Sequence, residues 1–133
     1  MAIERFTISR TDDVYEAFPS LCRTRAGRII LAYRESNGHV ASEYCRIILR
    51  HSDDGGVTWS QRRVFRDEDR ASGTLTTWNC PKIQQLDDGR ILLLSDCYDF
   101  PPGVWGHGMG NAHIVVWFSD DEGDSWSDAR PTT

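Results

Sequence analysis

The chain spells out one short unit twice, and this repetition limits its fold more than any other feature. PSLCRTRAGRIILAY (19–33) and PKIQQLDDGRILLLS (81–95) match at Pro19/Pro81, Gly27/Gly89, Arg28/Arg90, Ile29/Ile91 and Leu31/Leu93, each pair 62 positions apart. Two Asp-rich turns, HSDDGGVTWS (51–60) and FSDDEGDSWS (118–127), match at Ser52/Ser119, Asp54/Asp121, Gly56/Gly123 and Trp59/Trp126, now 67 positions apart. The difference places a five-residue insertion in the loop between the matched blocks. A repeat of this length marks a supersecondary unit that buries its apolar face against its neighbour.

Each unit divides into short strands separated by turn signals. In the first, SLCRT is a strand, RAG a turn, and RIILAYRE a nearly continuous apolar strand of the kind buried on both faces. The polar loop SNGHVASE leads to YCRIILRHS, and after the Asp-rich turn TWSQRRVFR supplies a fourth strand. The second unit repeats this to its own turn, and SDARPTT is too short to supply the fourth strand. No stretch sustains the 3.6-residue period of a helix. The fold class expected is all-β, with about two four-stranded antiparallel blades of a β-propeller. A β-sandwich can be built from the same strands, but it does not call for a matched repeat. The blades span 15–70 and 76–133, the second incomplete, and residues 1–10 form a strand belonging to a neighbouring blade.

Composition narrows the function classes. The formal charge is −5 with the arginines scattered, which argues against a nucleic-acid surface. No apolar run approaches a membrane span and MAIERFTISR has no apolar signal region, so the expectation is a cytoplasmic chain without a membrane partner. Cys22, Cys45, Cys80 and Cys97 form no CxxC pair and lie in or beside apolar runs. They read as reduced core residues, and no metal or cofactor is expected.

The turns account for their own composition. Gly56 and Gly123 permit positive φ, while Asp54 and Asp121 can accept bonds from turn N–H groups. Ser52, Ser119, Thr58 and Ser125 add side-chain bonds, and Trp59 and Trp126 pack between sheets. A calcium loop needs more oxygen ligands at regular spacing than these turns offer. The pattern S-x-D-x-G-x-[T/S]-W is the Asp-box, and both turns match it. Over about residues 5 to 130 the chain resembles the sialidase (neuraminidase) superfamily of BNR-repeat, six-bladed propellers. That resemblance implies structural Asp-boxes on the face away from the active site, and a glycan as substrate or ligand.

In a propeller blade, loops alternate between faces. The pocket of this chain is therefore expected from about 15–18, 34–44, 66–79 and 96–111. The resemblance implies a catalytic set of three carboxylate-clamping arginines, an Asp acid/base and a Tyr–Glu nucleophile pair. Where the family's R-I-P motif begins, this chain has Ala17, Phe18 and Pro19, so that arginine is missing. The following loop contains Glu35 and Glu43 but no Asp, and the remaining catalytic residues belong to later blades. The implied activity is that of an exo-glycosidase acting on sialic acid or another glycan, and this chain alone is expected to be inactive. The rival is a non-catalytic propeller that binds or scaffolds.

The loop does offer Arg34 as a substrate contact, with Glu35 and His39 as candidate acid/base groups. The plainer reading is a solvated loop with a surface Arg–Glu pair. In the second unit Trp78 and Asn79 precede the strand, WNCP resembling the family's N-P-x-P segment. Asp96 and Tyr98 end the next strand, and Trp105 and His107 sit in the loop beyond. These aromatics suit stacking on sugar rings or, equally, core packing. His113 reads as structural, His51 lies beside the Asp-box, and RDEDR (66–70) reads as an inter-blade loop. Two blades do not close a ring and leave sheet edges bare. The chain is thus expected to meet missing blades in cis, as a fragment, or to self-associate in trans.

Overall fold

The structure, a computed structural model, describes residues 4–41, 43–69, 75–100 and 111–132. It is built entirely from antiparallel strands. The first sheet is a meander of β1 (Tyr15–Arg23), β2 (Ile29–Ser36), β3 (Tyr44–Ser52) and β4 (Arg63–Asp69), paired in chain order. In the second, β5 (Leu75–Trp78) and β6 (Lys82–Gln85) both pair with β7 (Ile91–Phe100), followed by β8 (Asn111–Ser119) and β9 (Arg130–Thr132). Consecutive strands pair within one sheet and none crosses to the other, so each repeat is a blade and the two blades stack face to face.

Period-2 alternation decides what lies between them. From the first blade Cys22, Ile30, Ala32, Cys45, Ile47, Leu49 and Phe65 face the second, which answers with Trp78, Ile83, Ile91, Leu93, Cys97, Val115 and Trp117. Phe65 and Trp78 meet the fully buried Trp117 edge-on at 5.2 and 5.4 Å between ring centroids, the geometry aromatic quadrupoles favour. None of the four cysteines is in a disulfide, and three are buried with Cys80 half-buried. Burial raises the Cys45 thiol to about 11 although Arg34 opposes the shift, which makes it an inert core group.

Three sequence expectations are corrected. The second blade has a fourth strand, because Arg130–Thr132 pairs with Val116–Ile114 despite its short length. The acidic run from residue 66 belongs to β4, where Arg66 to Asp69 pair with Ile47 to Tyr44, rather than to an inter-blade loop. The strand expected after Asn79 forms as β6, and a further short strand, β5, precedes the interruption at Pro81, whose ring cannot donate to the ladder. Residues 4–14 carry no strand; Ile8 instead packs on Leu31, Tyr33 and Ile48 on the outer side of the first blade.

Both Asp-rich turns close as their residues require. Asp54 accepts from the Thr58 N–H at 2.9 Å and from its hydroxyl at 2.6 Å, and Ser52 Oγ donates to Asp54 while accepting from the Gly56 N–H. Asp121, Ser119, Ser125 and Gly123 repeat the pattern. Trp59 and Trp126 each donate Nε1–H to the carbonyl of their turn's glycine. Gly56 and Gly123 have φ of 96° and 85°, which favours glycine. These bonds hold both aspartates down to about 2.

The turns share an end of the stack with the β1–β2 connection. Arg28, from that connection, binds Asp53 through Nε (2.7 Å) and Nη2 (3.2 Å), and reaches across the blades with Nη1 to the Glu122 carbonyl (3.1 Å) and Asp124 (2.7 Å). Arg63 adds bonds from the first blade to the carbonyls of Gly123 and Asp124. The opposite end is therefore free for a site built from the β2–β3 loop and the break between β5 and β6.

Candidate functional site

The site at that opposite end begins with an irregularity in β1. Ala17 pairs with Arg34 but Ser20 pairs with Ala32, so one extra residue bulges between them. Phe18 takes φ of +56°, a conformation that costs a side-chain-bearing residue about 1 to 3 kcal/mol. The bulge sets the Phe18 ring 5.3 Å from the Arg34 guanidinium, with the Tyr15 ring at 5.7 Å. In the second blade the break after Asn79 occupies the matching place, 62 positions on from Ala17.

Arg34 is 2% exposed, and its donors are directed at four acceptors. Nε and Nη2 bond Ser36 Oγ, Nη2 also reaches the carbonyls of Gly38 and His39, and Nη1 crosses to Asn79 Oδ1 at 3.3 Å. Asn79 in turn donates Nδ2 to Asp96 at 2.9 Å, and the Cys80 N–H donates to the other Asp96 oxygen at 3.0 Å. A chain of polar contacts thus runs from the β2–β3 loop through Arg34 and Asn79 to Asp96 on the second blade. At its rim the exposed His39 meets the Tyr15 hydroxyl, Oη to Nδ1 at 2.9 Å. Among the residues expected from sequence, the structure brings together Arg34, His39, Asn79 and Asp96. Tyr15, Phe18 and Ser36 join them, from the segments 15–18 and 34–44 in which the pocket is expected.

Glu35 does not belong to this group. Adjacent strand residues point to opposite sides of a sheet, so Glu35 leaves toward the outer face of the first blade. It is 3% exposed there and bound by the Arg62 guanidinium through both oxygens. Tyr33, Ser9, Glu16 and Arg50 complete that separate polar cluster. The expectation that Arg34, Glu35 and His39 converge is therefore corrected for Glu35. Trp78 is core, 5% exposed against Trp117, rather than a stacking platform. Tyr98 is half-buried and stacked on Phe100, at 6.4 Å between centroids. His113 pairs with Asp99 at 3.8 Å, and His51 pairs with Asp53 of the first Asp-rich turn at 3.7 Å. Trp105 and His107 lie outside the described residues.

What the assembled groups offer chemically is a polar rim at a blade junction. It contains the His39 imidazole, a phenol and an amide, above a guanidinium whose Nε, Nη1 and Nη2 all hold hydrogen bonds. Among the described residues no cluster of His, Cys, Asp and Glu is arranged as metal ligands.

No family model matches the chain. A sialidase of Paraclostridium sordellii is 29% identical over 120 residues, covering 86% of this chain and 29% of that protein. A crystal structure of a protein of unknown function from Dyadobacter fermentans superposes with a TM-score of 0.73 at 23% identity, over 92% of this chain and 38% of that one. The Hadza microbial sialidase Hz136 superposes with a TM-score of 0.64 at 17% identity, over 91% of this chain and 25% of that one. The present chain thus spans less than two fifths of the length of each protein it resembles. The shared fold is that of sialidase-like β-propeller blades.

Proposed function

We propose that this chain contributes part of the glycan-recognising face of a sialidase-like β-propeller, with no hydrolytic activity by itself. The observation that carries this reading is the junction cluster, in which Arg34 of one blade and Asn79 of the next hold the His39–Tyr15 pair at the rim opposite the Asp-rich turns. Tyr15 and His39 present an aromatic edge beside hydrogen-bonding groups, a combination suited to a sugar ring and its hydroxyls. Arg34 acts as the support beneath: buried and bonded to Ser36, to the loop carbonyls and to Asn79, it orients the rim rather than clamping a carboxylate itself. In the complete ring the activity would be that of an exo-glycosidase acting on sialic acid or another glycan, in a cytoplasmic setting. The two turns then serve as structural Asp-boxes.

A non-catalytic binding propeller is the second reading, and Glu35 favours it. The one carboxylate of the β2 terminus is turned to the other side of the sheet and neutralised by Arg62. Ala17 adds to this, since it supplies no carboxylate clamp.

Saturation-transfer NMR with sialyllactose and with lactose tests the recognition claim, alongside a fluorogenic sialoside assay for turnover. Transfer to the sugar that is lost in His39→Ala, with the fold intact by circular dichroism, supports it. The absence of transfer from both sugars, or transfer unchanged in His39→Ala, refutes the assignment of the rim. Turnover of the sialoside by this chain refutes the claim of inactivity.

A further inference from the structure

The internal repeat allows one blade interface to be read onto the next. The first blade grips the second blade's Asp-rich turn with three residues. Arg28 crosses to Glu122 and Asp124, Ile30 Cδ1 stands 3.0 Å from where a Cβ on Gly123 would be, and Arg63 bonds the Gly123 and Asp124 carbonyls. At the repeat offsets these residues become Arg90, Leu92 and Arg130 of the second blade. Arg90 and Arg130 both approach the Phe118 ring, at 4.8 and 5.9 Å, so the two cations lie at one end of the outer face. Arg90 uses Nε and Nη2 for Asp88 of its own connection, as Arg28 uses the same atoms for Asp53. In Arg28 the remaining amine, Nη1, is the one that crosses to the neighbour. The Arg90 side chain is 44% exposed against 19% for Arg28. The apolar residues continue the match: buried Ile47 of the first blade corresponds to Ile114, which is 44% exposed.

We infer that Arg90, Leu92 and Arg130 form a receptor for the Asp-rich turn of a third blade, one that carries a carboxylate where the second blade has Asp124. The same reading excludes a second copy of this chain as the occupant. Its leading turn has Val57 at the position of Asp124, and so offers Arg90 no carboxylate. Its leading face also carries Glu35 and Arg50 where the second blade places the buried Cys97 and Trp117. Docking that face against Ile114 and Val116 would desolvate Arg50 and the part-exposed Arg62 that pairs with Glu35. The selectivity thus resides in one turn position, read by a guanidinium.

The test uses the full chain with arginine Nε–Hε resonances assigned, titrated with a synthetic peptide copying residues 117–127 and closed by a terminal disulfide. Saturable shifts of Arg90 and Arg130 are expected. Arg28 and Arg63 should stay in place, because the chain's own turn already fills their cleft. A peptide with Val at the position of Asp124 should bind about three- to fivefold more weakly, the loss expected for one exposed charge pair. Arg90→Ala, whose fold is checked by its unchanged methyl spectrum, should respond equally and weakly to both peptides. The inference is overturned by an absent response, by equal affinity for the two peptides in the parent chain, or by sedimentation showing that the chain self-associates through Arg90.

Discussion

Arg28→Ala removes a side chain that ties both Asp-rich turns together, and its cost can be worked from the contacts. Four bonds are lost: two to Asp53, one to Asp124 and one to the Glu122 carbonyl. A bond to a charged group contributes about 1.5 to 3 kcal/mol when buried. Here the carboxylates of Asp53 and Asp124 are 59% and 66% exposed, so water and salt screen most of that value. The guanidinium itself is 19% exposed, and the Glu122 carbonyl loses a charged donor. A net loss of about 2 kcal/mol follows from these bonds after screening. For a chain of this length that corresponds to a fall in Tm of about 6 to 8 °C. The repeat supplies its own control. Arg90→Ala deletes the matched residue, whose bonds stay within its own connection, and should leave Tm where it is. Thermal unfolding followed by tryptophan fluorescence, in low and in half-molar salt, reads both variants. Equal melting of Arg28→Ala and Arg90→Ala would refute the clamp, and a loss in Arg28→Ala that salt fails to reduce would refute its electrostatic origin.

Two further outcomes follow from the turns. Gly123→Ala and Gly55→Ala both place a methyl at positive φ, 85° and 76°, a strain of about 1 to 2 kcal/mol. Only Gly123→Ala also meets Ile30 Cδ1, at 3.0 Å, whereas a Cβ on Gly55 meets nothing within 4 Å. Gly123→Ala should therefore melt lower by a further margin of about 1 to 3 kcal/mol, and chemical denaturation measures the difference. Because Asp54 and Asp121 are held down to about 2 in the folded chain, the stability they supply is complete above the ordinary carboxylate range and is lost as pH falls through about 4 to 2. Tm measured across that window should drop, and less steeply in Asp54→Asn, which does not titrate there.

Much of the blade was legible because its signals are local. The repeat, the β-branched strands and the Ser-x-Asp-x-Gly turns act over ten residues or fewer, and these elements form where their spacing places them. The gathering of the β2–β3 loop at the end opposite the Asp-rich turns was legible too, since loop alternation needs only the order of strands. Arg34 was legible as a polar residue at a strand terminus, although its role as a buried support was not. The parting of Arg34 and Glu35 was not legible once both are assigned to the pocket segment 34–44, because β2 runs on to Ser36 and adjacent strand residues point to opposite sides of a sheet.

The chain's sequence determined by itself that it would form two blades, where each turns, and which faces become apolar, because propensity and period-2 burial are properties of neighbouring residues. The tertiary structure alone decided how those blades communicate. Arg28 meets Asp124 across 96 residues and Arg34 meets Asn79 across 45. Both contacts depend on the angle and register at which two separately specified sheets stack, and on a bulge that shifts β1 by one residue. Side-chain volumes across the whole interface, Trp117 foremost, set that angle, and no local pattern encodes it.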